Sequence, residues 1–255
     1  MGVSADDIGP LDGDSGAMDT STSHAVAQSV TSVEAIKAPA GPRRGVKYAV
    51  EAIGTFFLVF TVGAAVESRT PIAALAIGAV LMVMIYAGGH LSGGHYNPAV
   101  TLAVLVRRRI GLRDAIGYWI AQFGAGLLAA LVVRTTVDPA QVATAATMVL
   151  TGRTLAAFVV ELLFTFALCY VVLNVATSKS DPNNSFYGLA IGFTVVAGAF
   201  AVGSISGGAF NPAVSLSAAV MGIFAWPTLW VYLFAQVIAG AAAGLAFLAL
   251  NPDDK

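Results

Sequence analysis

The sequence predicts an all-α membrane protein with six transmembrane helices and two re-entrant half-helices arranged as an inverted repeat. Three observations lead there. Of 255 residues, 57% are hydrophobic and only 11% are charged, whereas ordinary soluble domains carry charge on roughly a quarter of their residues. From Pro182 to Pro252 there is no Asp, Glu, Lys or Arg at all. Finally, one frame occurs twice: Ser92-Gly93-Gly94-His95-Tyr96-Asn97-Pro98-Ala99-Val100 is echoed by Ser206-Gly207-Gly208-Ala209-Phe210-Asn211-Pro212-Ala213-Val214. In hydrocarbon every backbone polar group needs an internal partner, so irregular backbone survives only where it lines a cavity or is buried in protein. Two such breaks at matching places in two halves point to a transport path at the bilayer midplane.

Residues 1–45 stand apart from the rest. They contain no aromatic residue and hold Asp6, Asp7, Asp12, Asp14 and Asp19 among Ser, Gly and Thr, the composition of a disordered acidic tail. They lack the basic, apolar and small-residue regions of a signal peptide. His24 reads as a solvated, inert residue. The tail is expected on the cytoplasmic side, followed by one channel-like domain over 46–250.

A span needs about 20 mostly apolar residues. Six segments qualify, at approximately 48–66, 71–90, 114–133, 154–176, 186–204 and 228–249. Two shorter segments, 97–106 and 211–220, start at the Asn-Pro-Ala tripeptides. Ten helical residues rise roughly 15 Å, half the hydrocarbon thickness. Asn is a favoured N-cap, and Pro at the first helical position gives up only an N–H that has no intrahelical partner. Arg107, Arg108 and Arg109 then suit a helix C-terminus and stop the first half-helix at the interface.

The halves repeat at about 46–135 and 152–250. Asn97 precedes Gln122 by 25 residues, as Asn211 precedes Gln236, and Gly126 and Gly240 each follow their Gln by four. Each half reads span, span, half-span, span. Three spans per half is odd, so the second half enters from the opposite face. Arg43, Arg44, Lys47, Arg107 to Arg109, Arg113, Lys179 and Lys255 fall on one side, against Arg69, Arg134 and Arg153 on the other. The excess of basic residues marks the cytoplasmic face, which places both termini there.

The two half-helices then meet N-terminus to N-terminus, each presenting about half an elementary positive charge and bare N–H donors. The carboxamides of Asn97 and Asn211 add donors at that point. A passing water turns its oxygen toward both, which breaks the donor chain along which protons hop, and cations meet an unfavourable field. Gly93, Gly94 and His95 on one side, and Gly207, Gly208 and Ala209 on the other, supply backbone carbonyls as a ladder of acceptors. Glu51 and Glu161 lie near the starts of their spans. The structural role, accepting hydrogen bonds from the loop backbone, is favoured over a proton relay. His95 lines the inner vestibule or makes a structural bond; the residues leave both open. His90 reads as structural. Gln122 and Gln236 read as polar glue between helices, and Gly54, Gly78, Gly126, Gly192 and Gly240 as close-approach points. Cys169 reads as core. No metal spacing, serine elbow or phosphate loop is present, so neither an enzyme nor a cofactor is expected. The net charge of -1 argues against a nucleic-acid partner.

The stretch from His90 to Thr101, with Glu51-Ala52-Ile53-Gly54-Thr55-Phe56 and the second Asn-Pro-Ala, resembles the aquaporin family (the major intrinsic proteins) over residues 48 to 250. That resemblance implies one pore per subunit, the motif residues Asn97, Pro98, Ala99, Asn211, Pro212 and Ala213 at its centre, and a homotetramer in the lipid bilayer. Counting from the motifs by the family pattern implies a constriction of Ile77, Ala199, Gly208 and Val214. Family members commonly carry Arg where Val214 stands, so an apolar, wider outer gate is expected. The expected function is passive conduction of water and small neutral solutes such as urea, ammonia, hydrogen peroxide or glycerol. The Asp typical of dedicated glycerol facilitators is absent, with Ser215 in its place. The cell membrane is the expected location, or a vacuolar membrane if the source is a plant. An ion- or proton-coupled secondary transporter is the alternative, since inverted repeats and broken helices build those too.

Overall fold

The computed structural model describes residues 41–137 and 147–254. The expected acidic tail lies outside the described residues except for its last five, of which Arg44 and Gly45 already open the first helix. Among the described residues the chain forms eight α-helices. They are α1 (Arg44–Glu67), α2 (Ala73–Ser92), α3 (Pro98–Val106), α4 (Leu112–Thr136), α5 (Thr154–Thr177), α6 (Tyr187–Ser206), α7 (Pro212–Met221) and α8 (Leu229–Leu250). A single 3-10 turn, Trp226–Thr228, leads into α8. Six of the helices are long and apolar enough to cross a membrane; α3 and α7, with 9 and 10 residues, are half that length.

The breaks before the half-helices are alike. α2 and α6 stop at Gly93 and Gly207, whose φ angles of 92° and 93° are left-handed and suit glycine alone among common residues. A second left-handed glycine follows each time, Gly94 and Gly208. The backbone then becomes extended at Asn97 and Asn211, and each Asn caps its half-helix by accepting N–H bonds through Oδ1, from Ala99 and Ala213 at 2.8 and 3.0 Å. Such a cap stabilises a helix by about 1 kcal/mol. Proline at N1 starts each helix where the missing N–H costs nothing.

Packing interlocks the halves. α1 lies along α4, and α5 along α8; α2 and α6 cross between the halves. α3 of the first half packs on α8 of the second, and α7 on α4 of the first. Glycines set these distances. A Cβ on Gly78 would lie 2.5 Å from Gly192 O, and one on Gly192 2.5 Å from Gly78 O. A Cβ on Gly240 would lie 2.5 Å from Ala99 O, and one on Gly126 2.7 Å from Ser217 Oγ. Backbones approach this closely only where both partners are small.

One end of the bundle is tied by charge. Arg44 Nε donates to Asp114 Oδ1 at 2.8 Å. Arg107, expected to be an interfacial stop, is instead fully buried: its guanidinium lies 4.1 Å from the centre of the Phe247 ring, pairs with Asp254 at 2.8 Å, and donates to Thr177 Oγ1 and Thr177 O. Arg107 is the C-cap of α3, and its side chain turns inward between Phe247 and Thr177, so its charge needs a buried partner rather than water.

Candidate functional site

Each loop at membrane depth is held by one carboxylate. Glu51, fully buried, accepts from Ser92 Oγ (2.7 Å), His95 N–H (2.9 Å), Tyr96 N–H (2.7 Å) and Gln122 Nε2 (2.8 Å). Glu161 accepts from Ser206 Oγ (2.7 Å), Ala209 N–H (3.0 Å), Phe210 N–H (2.9 Å) and Gln236 Nε2 (2.9 Å). All four oxygens are satisfied, as buried carboxylates require. Gln122 also donates to Thr101 Oγ1 at 3.0 Å and Gln236 to Ser215 Oγ at 2.9 Å. The two glutamines therefore belong to the loop supports, a role more specific than helix glue. Tyr118 and Tyr232 complete each support by donating their hydroxyls to Ser92 O and Ser206 O. Neither tyrosine nor the Thr101/Ser215 pair was singled out in the sequence, although each recurs at equal distance after its Asn.

The loops also hold each other. Asn97 Nδ2 donates to Phe210 O at 2.9 Å, and Asn211 Nδ2 donates to Tyr96 O at 2.9 Å. The carbonyls that accept belong to two aromatic residues with positive φ, Tyr96 at 47° and Phe210 at 49°. That conformation costs on the order of 1–2 kcal/mol per residue. It persists because it aims each carbonyl across the midplane. The ring of Tyr96 is locked against Gly54 and Gly88, and that of Phe210 against Gly198.

With its Oδ1 committed to the half-helix and one Nδ2 hydrogen to the opposite loop, each Asn has a single N–H left to offer. A cavity of about 160 Å³ borders both side chains. Ile77, Ala199, Gly208 and Val214 border the same cavity, as do Gly94, His95, Gly207 and Ala209. Its remaining walls are apolar, mostly aliphatic side chains such as Leu58, Val62, Leu168 and Ile191, with the ring of Phe224. Pro98, Ala99, Pro212 and Ala213 do not reach it; they are buried where the half-helices meet their neighbours. Glu51 and Glu161 are set behind the loops and do not line it either. Gly93 borders a separate opening of about 320 Å³ at the end of the bundle where Thr177, Ser178 and Asp181 lie.

His95 both borders the cavity and bonds within the support. Its Nδ1 lies 3.0 Å from Thr101 Oγ1, and the Thr101 hydroxyl donates to Asn97 O at 3.1 Å. Nδ1 thus faces the support, while Nε2 lies beside Gly93. Among the described residues no group of three or more His, Cys, Asp or Glu is placed to hold a metal ion.

Comparison with known proteins extends the picture. Residues 46–247 match the major intrinsic protein family. The chain is 38% identical over 219 residues to glycerol uptake facilitator protein-like 6 of Lactiplantibacillus plantarum, covering 82% of this chain and 99% of that one. It is 35% identical to nodulin-26 of Glycine max over 82% of this chain and 79% of the relative. It is 38% identical to aquaporin NIP1-4 of Oryza sativa subsp. japonica, over 76% and 72%. The X-ray structure of the aquaglyceroporin from Plasmodium falciparum shares the fold at a TM-score of 0.67 and 20% identity, covering 80% of this chain and 96% of that one.

Proposed function

This chain belongs to the major intrinsic protein family, and from that premise we propose that it conducts through an apolar outer constriction made by Ile77, Ala199, Gly208 and Val214. It is a passive channel for water and small neutral solutes. The observation that carries the constriction is the single cavity bordered by these four residues and by Asn97 and Asn211.

Permeation works by what the path offers and what it withholds. Water entering single file finds aliphatic walls, backbone carbonyls of the glycine loops, and at the centre the free N–H of each Asn. Its oxygen accepts there, its hydrogens point away, and the proton wire is cut. The positive ends of α3 and α7 face the same point and disfavour cations. Ions lose hydration among walls that cannot replace it. A small neutral solute loses much less. With Val214 in the usual place of Arg, no cationic side chain narrows the outer gate or demands a hydrogen-bonding partner. Glycerol, named in one relative, belongs among the solutes to be measured beside urea, ammonia and hydrogen peroxide. An ion- or proton-coupled carrier is not favoured, because Glu51 and Glu161 already accept four hydrogen bonds each and do not line the cavity.

Stopped-flow measurements on proteoliposomes test the gate. Val214→Arg is expected to lower the urea-to-water permeability ratio about tenfold, equivalent to about 1.4 kcal/mol of added barrier. An unchanged ratio in folded protein would refute this assignment of the filter.

Four copies form a homotetramer in the cell membrane, each with its own pore and both termini cytoplasmic. Exposed apolar side chains on α1, α2, α5 and α6, such as Phe57, Val83, Leu163 and Phe200, support burial against lipid and neighbouring copies. The clustering of Arg44, Lys47, Arg107 to Arg109 and Arg113 at one end supports the orientation. Native mass spectrometry from mild detergent checks the assembly, with a four-chain species expected.

A further inference from the structure

The two loop supports differ most in what packs against their tyrosines. On the inner side the Tyr118 ring meets the edge of His95, with centroids 5.1 Å apart at 67°. On the outer side the residue in register with His95 is Ala209, too small to reach Tyr232. Tyr232 instead stacks on Phe224, at 4.4 Å and 13°. Phe224 comes from beyond the end of α7, and its counterpart by register in the first half is the aliphatic Ile110. An aromatic ring has thus been supplied to the outer mouth from a different part of the chain.

That ring sits against the pore wall. A Cβ on Gly207 would lie 2.5 Å from Phe224 Cε1 and 2.8 Å from Cζ, so the ring edge presses on the backbone directly before Gly208. Phe224 borders the central cavity and, among the described residues, is the one Phe, Tyr or Trp that does so. It is buried and braced. Its N–H donates to Ala218 O at 3.2 Å, and the strand-like contact with Met148 is fixed by Met148 N–H to Ile223 O at 2.7 Å and Ala225 N–H to Met148 O at 3.3 Å. With its backbone fixed and its ring set between Tyr232 and Gly207, the side chain stays at the pore wall.

We propose that Phe224 sets the size limit of the outer mouth, backing the Gly207–Gly208 wall and filling the space that Ala209 leaves open. This rests on the channel reading above. The limit acts on shape, because the ring brings no hydrogen-bond donor, and so it separates water and glycerol from longer linear polyols.

The test is the ratio of erythritol to water permeability in proteoliposomes of wild type, Phe224→Leu and Phe224→Ala, each checked for folding by gel filtration. The ratio is expected to rise several-fold in the order wild type, Leu, Ala, with erythritol permeability per channel rising more than water permeability. If Phe224→Ala fails to fold, Phe224→Leu decides alone. An unchanged ratio in either folded variant overturns the proposal, since a ring that merely stabilised the fold would leave selectivity untouched. Wild-type vesicles no more permeable to water than empty ones would overturn the channel reading and this inference with it.

Discussion

Exchanging Glu161 for Gln replaces one accepting oxygen by an NH2 group directed at the Ala209, Phe210 or Ser206 donors. At least one backbone N–H is then buried without an acceptor, a loss of about 1–3 kcal/mol. Glu161→Gln is therefore expected to lower the melting temperature in detergent and the yield of folded protein, while water flux per folded channel stays near wild type. Loss of selectivity with unchanged stability would point to a relay instead. Glu67 makes the opposite case. It is 1% exposed at the far end of α1, and among the described residues neither carboxylate oxygen has a hydrogen-bond partner. The cation near it, Arg134, donates through Nη1 to Val220 O instead. Glu67→Gln removes a buried charge without breaking a hydrogen bond, so a higher melting temperature is expected. At this scale much of the site was readable. Asn, Pro and the paired glycines advertise a capped helix after a left-handed turn, because these residue types serve so few other purposes together. Phe224 was not readable, since an aromatic beyond a helix end carries no periodicity and no motif.

Helices in lipid gain little from hydrophobic burial against one another, so close backbone approach must supply the packing energy. This makes the crossing glycines sharper determinants than the large apolar residues around them. Gly240→Ala puts a methyl group 2.5 Å from Ala99 O, a backbone atom that cannot rotate away. The first half-helix must then move, and with it Asn97. Reduced water permeability per folded channel is expected, whereas Gly124→Ala, with nothing within 4 Å, should behave as wild type. The six spans were visible in hydropathy to within about four residues at each end, because nothing else in a sequence resembles 20 uninterrupted apolar residues. Which half-helix packs against which span was not visible. The exchange of α3 onto α8 and α7 onto α4 pairs residues far apart in the chain, such as Ala99 with Gly240 and Gly126 with Ser217, and no local pattern encodes it.

Across the whole molecule, Asp254 joins segments that are remote in the chain. It accepts from Lys179 N–H at 2.7 Å and Ser178 Oγ at 3.2 Å, and pairs with Arg107 and Arg109. Burial works against its charge, but the Lys179 N–H and the Arg107 guanidinium outweigh that and hold its carboxyl down to about 2. Because the native value is depressed, the tie is complete above the ordinary carboxylate value of about 4 and is lost only as pH falls through about 2. Hydrogen exchange of residues 178–186 is expected to stay flat between about pH 5 and 8 once intrinsic rates are divided out, and to rise in Asp254→Asn. The sequence by itself determined the membrane class, the spans, the two half-helices and their duplication. Each of these is a consequence of local chemistry: apolar length, capping preference and the glycine turn. Only the tertiary structure decided that Glu51 and Glu161 hang the loops, that each Asn clasps the opposite loop, that Arg107 is buried on Asp254, and that Phe224 packs on Gly207 and Tyr232. These are contacts between distant segments, selected by which buried polar group lacks a partner once the helices have packed.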